Sequence, residues 1–430
     1  MKRNFYVGAI FLVLISVLAV ASVMLQKQAA VEAAGTMAPR FEVDPFWPKP
    51  LPNHWILGQT IGVSVDAQDH VWIIHRAGSL EPNEVHATAN PPIAQCCAPA
   101  PPVLQFDQEG NLVSSFGGPG QGYDWPDSNH GVTIDYKGNV WIGGNGVGTP
   151  PSAAGRGQGA ARGQQGAVRT GQEQNEEQSS GVSYANDAMV LKFTQAGKFL
   201  MQIGKPGQSK GSNDLENLRR PAKTFIDKKE NEVYVADGYG NHRVIVYDAD
   251  TGKYKRHWGA YGNKPDDANL GPYNPDAPPA KQFRNPVHCA ELSVDRLLYV
   301  CDRANDRIQV FKPDGTFVKE TFINKKTLGS GSVWDIAFSK DPQQKYIYLA
   351  DGENDRVHIL DRESLEMLTT FGEGGRQPGM FYGVHSIATD SKGNIYTTET
   401  YRGQRLQKFV YKGMAPVTKA DQGVVWPAKK

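Results

Sequence analysis

Three of the ten histidines in this 430-residue chain sit in closely similar phrases: His130 in NHGVTID, His288 in PVHCAEL and His385 in GVHSIATD. Each opens or adjoins a short apolar run that alternates as a half-buried strand does. Imidazole is the commonest side-chain metal ligand, and three of them around one ion with an open fourth position make a catalytic zinc site. That chemistry needs elements that bring three distant stretches of chain to one point.

Those elements are repeats. An apolar strand, a polar turn and a second strand recur six times: IGVSVDAQDHVWIIHRAG from Ile61, HGVTIDYKGNVWIGGNG from His130, AKTFIDKKENEVYVADGYGNHRVIVYD from Ala222, HCAELSVDRLLYVCDRANDRIQVFK from His288, WDIAFSKDPQQKYIYLADGENDRVHILD from Trp334 and HSIATDSKGNIYTTETYRGQRLQKF from His385. Third and fourth strands are also visible, so the chain reads as an all-β, six-bladed β-propeller. A repeat architecture also accounts for a chain longer than a single hydrophobic core supports. Aligning the first strands puts Ile61, His130, Ala222, His288, Trp334 and His385 in one column. Histidine takes alternate blades, and alternate positions around a six-bladed ring are related by a near three-fold rotation, so the three can converge on the channel axis. Three chosen positions would all be histidine by chance roughly once in 10^5 at this composition, and on the order of once in 10^3 after allowing for about 40 alignment columns, which gives the alternation its weight. His54, His70, His75, His86, His242, His257 and His358 share no column and are read as structural or solvent-exposed.

The sixth copy lacks a fourth strand. His54-Trp55-Ile56-Leu57-Gly58, just before the first blade, has the composition to supply it and to close the ring, which would remove an exposed sheet edge. The propeller is thus expected over residues 41–413, with 414–430 as an added tail. Two low-complexity insertions, 79–101 in blade one and 148–183 in blade two, fall between second and third strands. Neither has the apolar content to order itself, and the second is expected to be disordered. Their equivalent joints put both on one face of the ring, where loops carry function.

Residues 1–34 read as an address. Lys2 and Arg3 precede an uncharged apolar run over 5–25 and then small-residue sites, the pattern of a secretory signal peptide or a retained membrane anchor. An exported protein, periplasmic or extracellular, is expected. For Cys289 and Cys301, in successive strands, a cross-strand disulfide and two buried thiols are both open readings. Cys96 and Cys97 are adjacent in the first insertion, and no CxxC pair supports a cysteine zinc site. Lys+Arg 46 against Asp+Glu 45 excludes nucleic-acid binding by bulk charge. The only membrane contact expected is the N-terminal segment, and a monomer is expected.

The joint after the second strand adds candidates. Arg76, Gly238, Arg303, Gly352 and Thr400 share one column there, and Tyr239 and Tyr401 the next. A phenol beside a zinc ion can serve as a base, and an arginine offers a fork to a carboxylate. Arg303 also fits plain turn chemistry, because DRANDR recurs as DGENDR, and Arg243, Arg307 and Arg356 at one repeat position are read as structural.

From about Gly58 to Phe409 the chain resembles the NHL-repeat six-bladed propellers, and specifically the catalytic core of peptidyl-α-hydroxyglycine α-amidating lyase. The resemblance implies zinc (Zn2+) on His130, His288 and His385, a catalytic tyrosine at Tyr239 in DGYGNHR, an active-site arginine at Arg76 in IIHRAG and a second at Arg303 in DRANDRIQ. It also implies a structural calcium (Ca2+) held partly by backbone carbonyls at Val63 and Val132. Here Ser386 stands where the family has an aspartate, so that site lacks its carboxylate. Gly240 stands in place of a family cysteine, so the corresponding disulfide cannot form, and the monooxygenase domain that makes the hydroxyglycine substrate in animal proteins is not in this sequence.

The resemblance implies an exported zinc-dependent lyase acting on a small-molecule or peptide substrate. It would split the N–C bond of an α-hydroxyglycine-like group into an amide and glyoxylate. Tyr239 is expected to remove the hydroxyl proton, Arg76 to neutralise developing charge, and Arg303 to steer the carboxylate. Two other classes compete. One is a non-catalytic periplasmic propeller acting as a binding or scaffold module. The other is a calcium-dependent lactonase or hydrolase, which needs carboxylates lining the channel, where Asp335 is the one first-strand carboxylate near the right column.

Overall fold

The six repeats fold as six four-stranded antiparallel sheets in the computed structural model, which describes residues 35–146 and 186–427. The address over 1–34 and the insertion over 148–183 lie outside the described residues. The first strands of the blades are Gln59–Val65, Asn129–Ile134, Lys223–Asp227, Val287–Leu292, Asp335–Phe338 and Val384–Thr389, and each touches the next around a closed ring. Later strands of each blade lie progressively further out.

Three of the six hairpins, in blades one, two and six, are registered by a recurring aspartate. Asp66, Asp135 and Asp390 each end a first strand, accept two backbone N–H groups from the turn, and accept a third bond from an aromatic side chain on the second strand. Those aromatic donors are Trp72 Nε1 at 2.8 Å, Trp141 Nε1 at 3.0 Å and the Tyr396 hydroxyl at 2.9 Å. A side chain that satisfies both the turn and the facing strand leaves one pairing register for the two strands. The core lies between blades: Trp72, Ile74 and Val103 of blade one pack with Val140, Ile142 and Leu191 of blade two.

The ring closes with an N-terminal strand, but not with the segment the composition pointed to. Met37–Asp44 pairs antiparallel with Arg405–Pro416, placing Glu42 opposite Val410 and Asp44 opposite Lys408, and forms the outer strand of blade six. Phe41 anchors it among Tyr348, Phe371 and Tyr411. Within His54–Gly58, Trp55 and Ile56 instead pair in parallel with Ala98 and Pro99 of the first insertion. The reason is distance. Gly58 adjoins the innermost strand of blade one, whereas the vacancy lies at the rim, three strand spacings of about 4.8 Å away. Residues 45–58 are needed to cross from rim to channel.

The first insertion is ordered, although its composition offers little apolar surface to bury. It forms three single turns of 3-10 helix and reaches blade six through Glu81 and Arg402, 2.9 Å apart. Its order comes from backbone and polar pairing instead of apolar burial. Cys289 and Cys301 face each other on adjacent strands and are disulfide-bonded, as are Cys96 and Cys97. The tail runs beside blades five and six: Thr370 N–H donates to Ala420 O at 2.8 Å, Gly372 N–H to Gly423 O at 2.8 Å, and Val43 N–H to Val425 O at 2.9 Å. No helix of the described residues is long and apolar enough to cross a membrane.

Candidate metal centre

The histidine column coincides with a repeated irregularity of the sheets. The pairing of first and second strands slips between Thr60 and Gly62, His130 and Val132, Val287 and Cys289, and Val384 and Ser386. In the other two blades Ala222 and Trp334 donate their N–H to Ala236 and Ala350, the residues that already oppose Lys223 and Asp335. Two residues thus face one at the column in every blade, a β-bulge, and bulges re-aim side chains. In blade two the neighbour is Gly131, at φ 59, whose Cβ would stand 2.3 Å from the Ala222 carbonyl oxygen, so only glycine lets the strands of blades two and three approach there.

His130, His288 and His385 converge. Their ring centroids are 5.1, 4.8 and 4.8 Å apart, close to an equilateral triangle, and one ligand nitrogen from each lies within 4.8 Å of the others. All three are buried. Each is oriented by the column residue of a neighbouring alternate blade. His130 Nδ1–H donates to Ala222 O at 2.8 Å, and His288 Nδ1–H donates to Trp334 O. His385 Nδ1 contacts Ser386 Oγ at 3.3 Å, whose hydroxyl donates to Ile61 O at 3.0 Å. A carbonyl only accepts, so the proton sits on Nδ1 and the Nε2 lone pair faces the channel centre, as a metal ligand requires. Among the described residues His385 Nε2 is buried with no hydrogen-bond partner. An orphaned acceptor between two other inward-facing imidazoles fits a bound metal ion, and the three-nitrogen set suits zinc.

Burial depresses all three imidazole pKa values well below 6.5, and the surrounding cations add to it: Arg76, Arg303 and Arg220 for His130, Arg303 and Lys223 for His288, and Arg303 and Arg76 for His385. Neutral imidazoles are the form that binds metal.

Tyr239 completes the centre. Its hydroxyl lies 3.0 Å from His130 Nε2 and 3.1 Å from His288 Nε2, and accepts from Arg303 Nη1–H at 3.0 Å. The preceding Gly238 is required sterically, since a Cβ there would stand 2.0 Å from the Val287 nitrogen. Arg303 stacks over Trp334 at 4.5 Å and anchors its Nε–H on Ser330 O at 3.0 Å. Arg76 donates to Gln59 Oε1 and Asn145 Oδ1, both at 2.8 Å, and to Asn129 O at 3.3 Å. These acceptors are neutral, so its charge remains available to an anion.

Three participants escaped the sequence reading. Asn145 occupies in blade two the joint column that Arg76 occupies in blade one, and its backbone carbonyl also accepts from Arg220 Nε–H at 2.6 Å. Arg220 is buried, at φ 58, and its guanidinium lies 5.7 Å from the Tyr239 ring centroid. The Arg-Pro dipeptide before the third repeat was the available signal. Trp334 was in the column but carried no assigned role. Of the three arginines at one repeat position, Arg243 and Arg307 are buried on Asp237 and Asp302, 2.8 and 2.6 Å away. Arg356 points outward to Asp421, and His358 takes the buried partnership with Asp351 at 3.0 Å.

Calcium does not fit the residues present. Val63 and Val132 lie on the first strands of blades one and two, but the Ser386 hydroxyl is committed to Ile61 O. The channel-facing carboxylates of Glu291 and Asp335 both bind the Lys223 ammonium.

Fold and site together define a class: a six-bladed β-propeller with histidines from alternate blades gathered in its channel. No family model matches the sequence. Among curated proteins the chain is similar to peptidyl-glycine alpha-amidating monooxygenase of Mus musculus, 23% identical over 206 residues, and to the B form of Xenopus laevis, 25% identical over 207. Each match takes 47% of this chain and 19% or 21% of the relative, so the chain spans about a fifth of the length of the curated relatives it matches. Among solved structures it is similar to a catalytically inactive virginiamycin B lyase from Staphylococcus aureus with quinupristin, with TM-score 0.43, 13% identity, and coverage of 90% of this chain and 94% of that one. A streptogramin B lyase structure gives TM-score 0.47, 12% identity, and 87% and 98% coverage.

Proposed function

We propose that this protein is an exported zinc-dependent lyase that cleaves the N–C bond of an α-hydroxyglycine-like substrate, releasing an amide and glyoxylate. The observation that carries the reading is the Tyr239 hydroxyl within 3.1 Å of two of three convergent imidazole nitrogens. The partial similarity to amidating monooxygenases supports it.

His130, His288 and His385 would hold the ion, which when bound supplies a Lewis acid that acidifies a coordinated hydroxyl. Tyr239 is the base that takes the hydroxyl proton. As the O–H bond breaks, its electron pair forms the aldehyde C=O and the C–N bond cleaves. The nitrogen leaves with the C–N bonding pair and takes back a proton, so no oxidant or reductant is needed. Arg303, donating to the Tyr239 oxygen at 3.0 Å, holds the hydroxyl in place beside the histidines. Arg76, with three neutral acceptors, binds the substrate carboxylate or the negative charge that develops beside the histidines.

Metal analysis of wild type and His288→Ala tests the centre, followed by glyoxylate release from an N-acyl-α-hydroxyglycine. About one zinc per chain, lost in the variant, together with zinc-dependent glyoxylate release is the expected result. A folded, zinc-supplemented wild type that binds no metal would overturn the reading in favour of a binding propeller.

A further inference from the structure

Beside the histidine centre the channel holds a second charged constellation. Lys223, Glu291 and Asp335 come from the first strands of blades three, four and five. The Lys223 ammonium lies 2.8 Å from Asp335 Oδ1, 3.0 Å from Asp335 Oδ2 and 2.8 Å from Glu291 Oε1. Asp335 additionally accepts the backbone N–H groups of Ile336 at 2.9 Å and Ile387 at 3.2 Å, which ties the cluster to the strand carrying His385. Asp335 is fully buried, whereas the Lys223 and Glu291 side chains keep 12% and 15% of their exposure, so small ions can reach the group.

The bulges explain the placement. Lys223 and Asp335 are the residues just after the column positions Ala222 and Trp334, and the bulge turns both toward the channel. One cation against two carboxylates leaves the cluster with one negative charge in excess. Without the ammonium, two buried carboxylates would face each other uncompensated, an arrangement that demands either protons or a hard cation with oxygen ligands.

We propose that Lys223 is the resident cation of this channel: its ammonium occupies a carboxylate site that, once the lysine is removed, takes a divalent cation of the calcium type. The wild-type propeller is accordingly independent of calcium. Burial works against the lysine charge, but Asp335 and Glu291 outweigh it and hold the pKa above its ordinary value, so the ammonium persists at every physiological pH.

The test is thermal unfolding and metal analysis of wild type, Lys223→Ala and Lys223→Ala/Glu291→Gln, each in EGTA and in 1–10 mM calcium (about 10^-3 M, the range of weak oxygen sites). Lys223→Ala in EGTA is expected to melt about 4–7 °C below wild type, because one partner of a buried ion cluster is lost. Calcium should restore at least half of that, with about one calcium per chain, and the double variant should not respond. Wild type should shift by less than about 1 °C. If Lys223→Ala is insoluble, refolding from urea with and without calcium replaces melting, and recovery only with calcium is the expected result. A wild type that binds or is stabilised by calcium, or a Lys223→Ala protein indifferent to it, overturns the proposal. Zinc content measured on the same samples separates failure at this cluster from failure at the histidines.

Discussion

Replacing Tyr239 by Phe removes one oxygen from the centre and leaves nearly everything else. The ring stays 3% exposed, with the guanidinium groups of Arg303 and Arg220 at 5.4 and 5.7 Å from its centroid. What disappears is a hydroxyl within 3.0 and 3.1 Å of two imidazole nitrogens and an acceptor for Arg303 at 3.0 Å. Losing a buried acceptor from a charged donor costs about 1–3 kcal/mol, which in a propeller of this size lowers Tm by about 1–4 °C. Losing a positioned base costs about 10^2–10^4 in rate, falling on kcat and kcat/KM together because the contact is to the transferred proton. The three ligand imidazoles are untouched, so zinc stoichiometry should equal that of wild type. The assay is glyoxylate release from an N-acyl-α-hydroxyglycine, run on protein whose metal content is measured in the same preparation. Turnover within about threefold of wild type with zinc retained would refute the base assignment. Loss of zinc along with activity would show that the hydroxyl holds the ligands in place and does not move a proton.

Arg243→Met should destabilise the protein by about 3–5 kcal/mol in urea unfolding, because it strands the buried Asp237 carboxylate, whereas Arg356→Met at the same repeat position should cost less than about 1 kcal/mol; equal costs would contradict the two environments. Burial, opposed by hydrogen bonds from Ser332, pushes the Asp306 carboxyl up to about 7 from an ordinary 3.8. The folded state then holds a proton that the unfolded state has lost, so stability falls as pH rises from about 4 to 7, by up to about 1.4 kcal/mol per pH unit. Asp306→Asn should flatten that slope, and parallel urea midpoints for the two proteins across this range would rule the effect out. Truncation after Pro416 removes the bonds from Val43, Thr370 and Gly372 to the tail, and hydrogen exchange should then show the closing strand Met37–Asp44 opening first, with unchanged protection there counting against a clamping role.

The sequence by itself determined the blades and the histidine trio, and the physical reason is repetition. Each blade reuses one hairpin, with the same aspartate and aromatic partner in blades one, two and six, so residues more than a hundred positions apart can be compared in a common frame. Alternation of His130, His288 and His385 in that frame is three-fold symmetry written in one dimension, and the adjoining joint offered Arg76, Arg303 and Tyr239 among its candidates, from which the family resemblance selected them. The tertiary structure alone decided what depends on contacts between non-equivalent segments. Met37–Asp44 and His54–Gly58 have similar local propensity, and only the span from rim to channel and the partner strand Arg405–Pro416 choose between them. Arg243 and Arg356 look alike until a tail from elsewhere offers Asp421 to one and not to the other. Lys223 is an ordinary strand lysine in the sequence; three blades meeting around a ring turn it into a cation bound by Glu291 and Asp335, because the side chains that surround a channel are neighbours through closure and not through chain order.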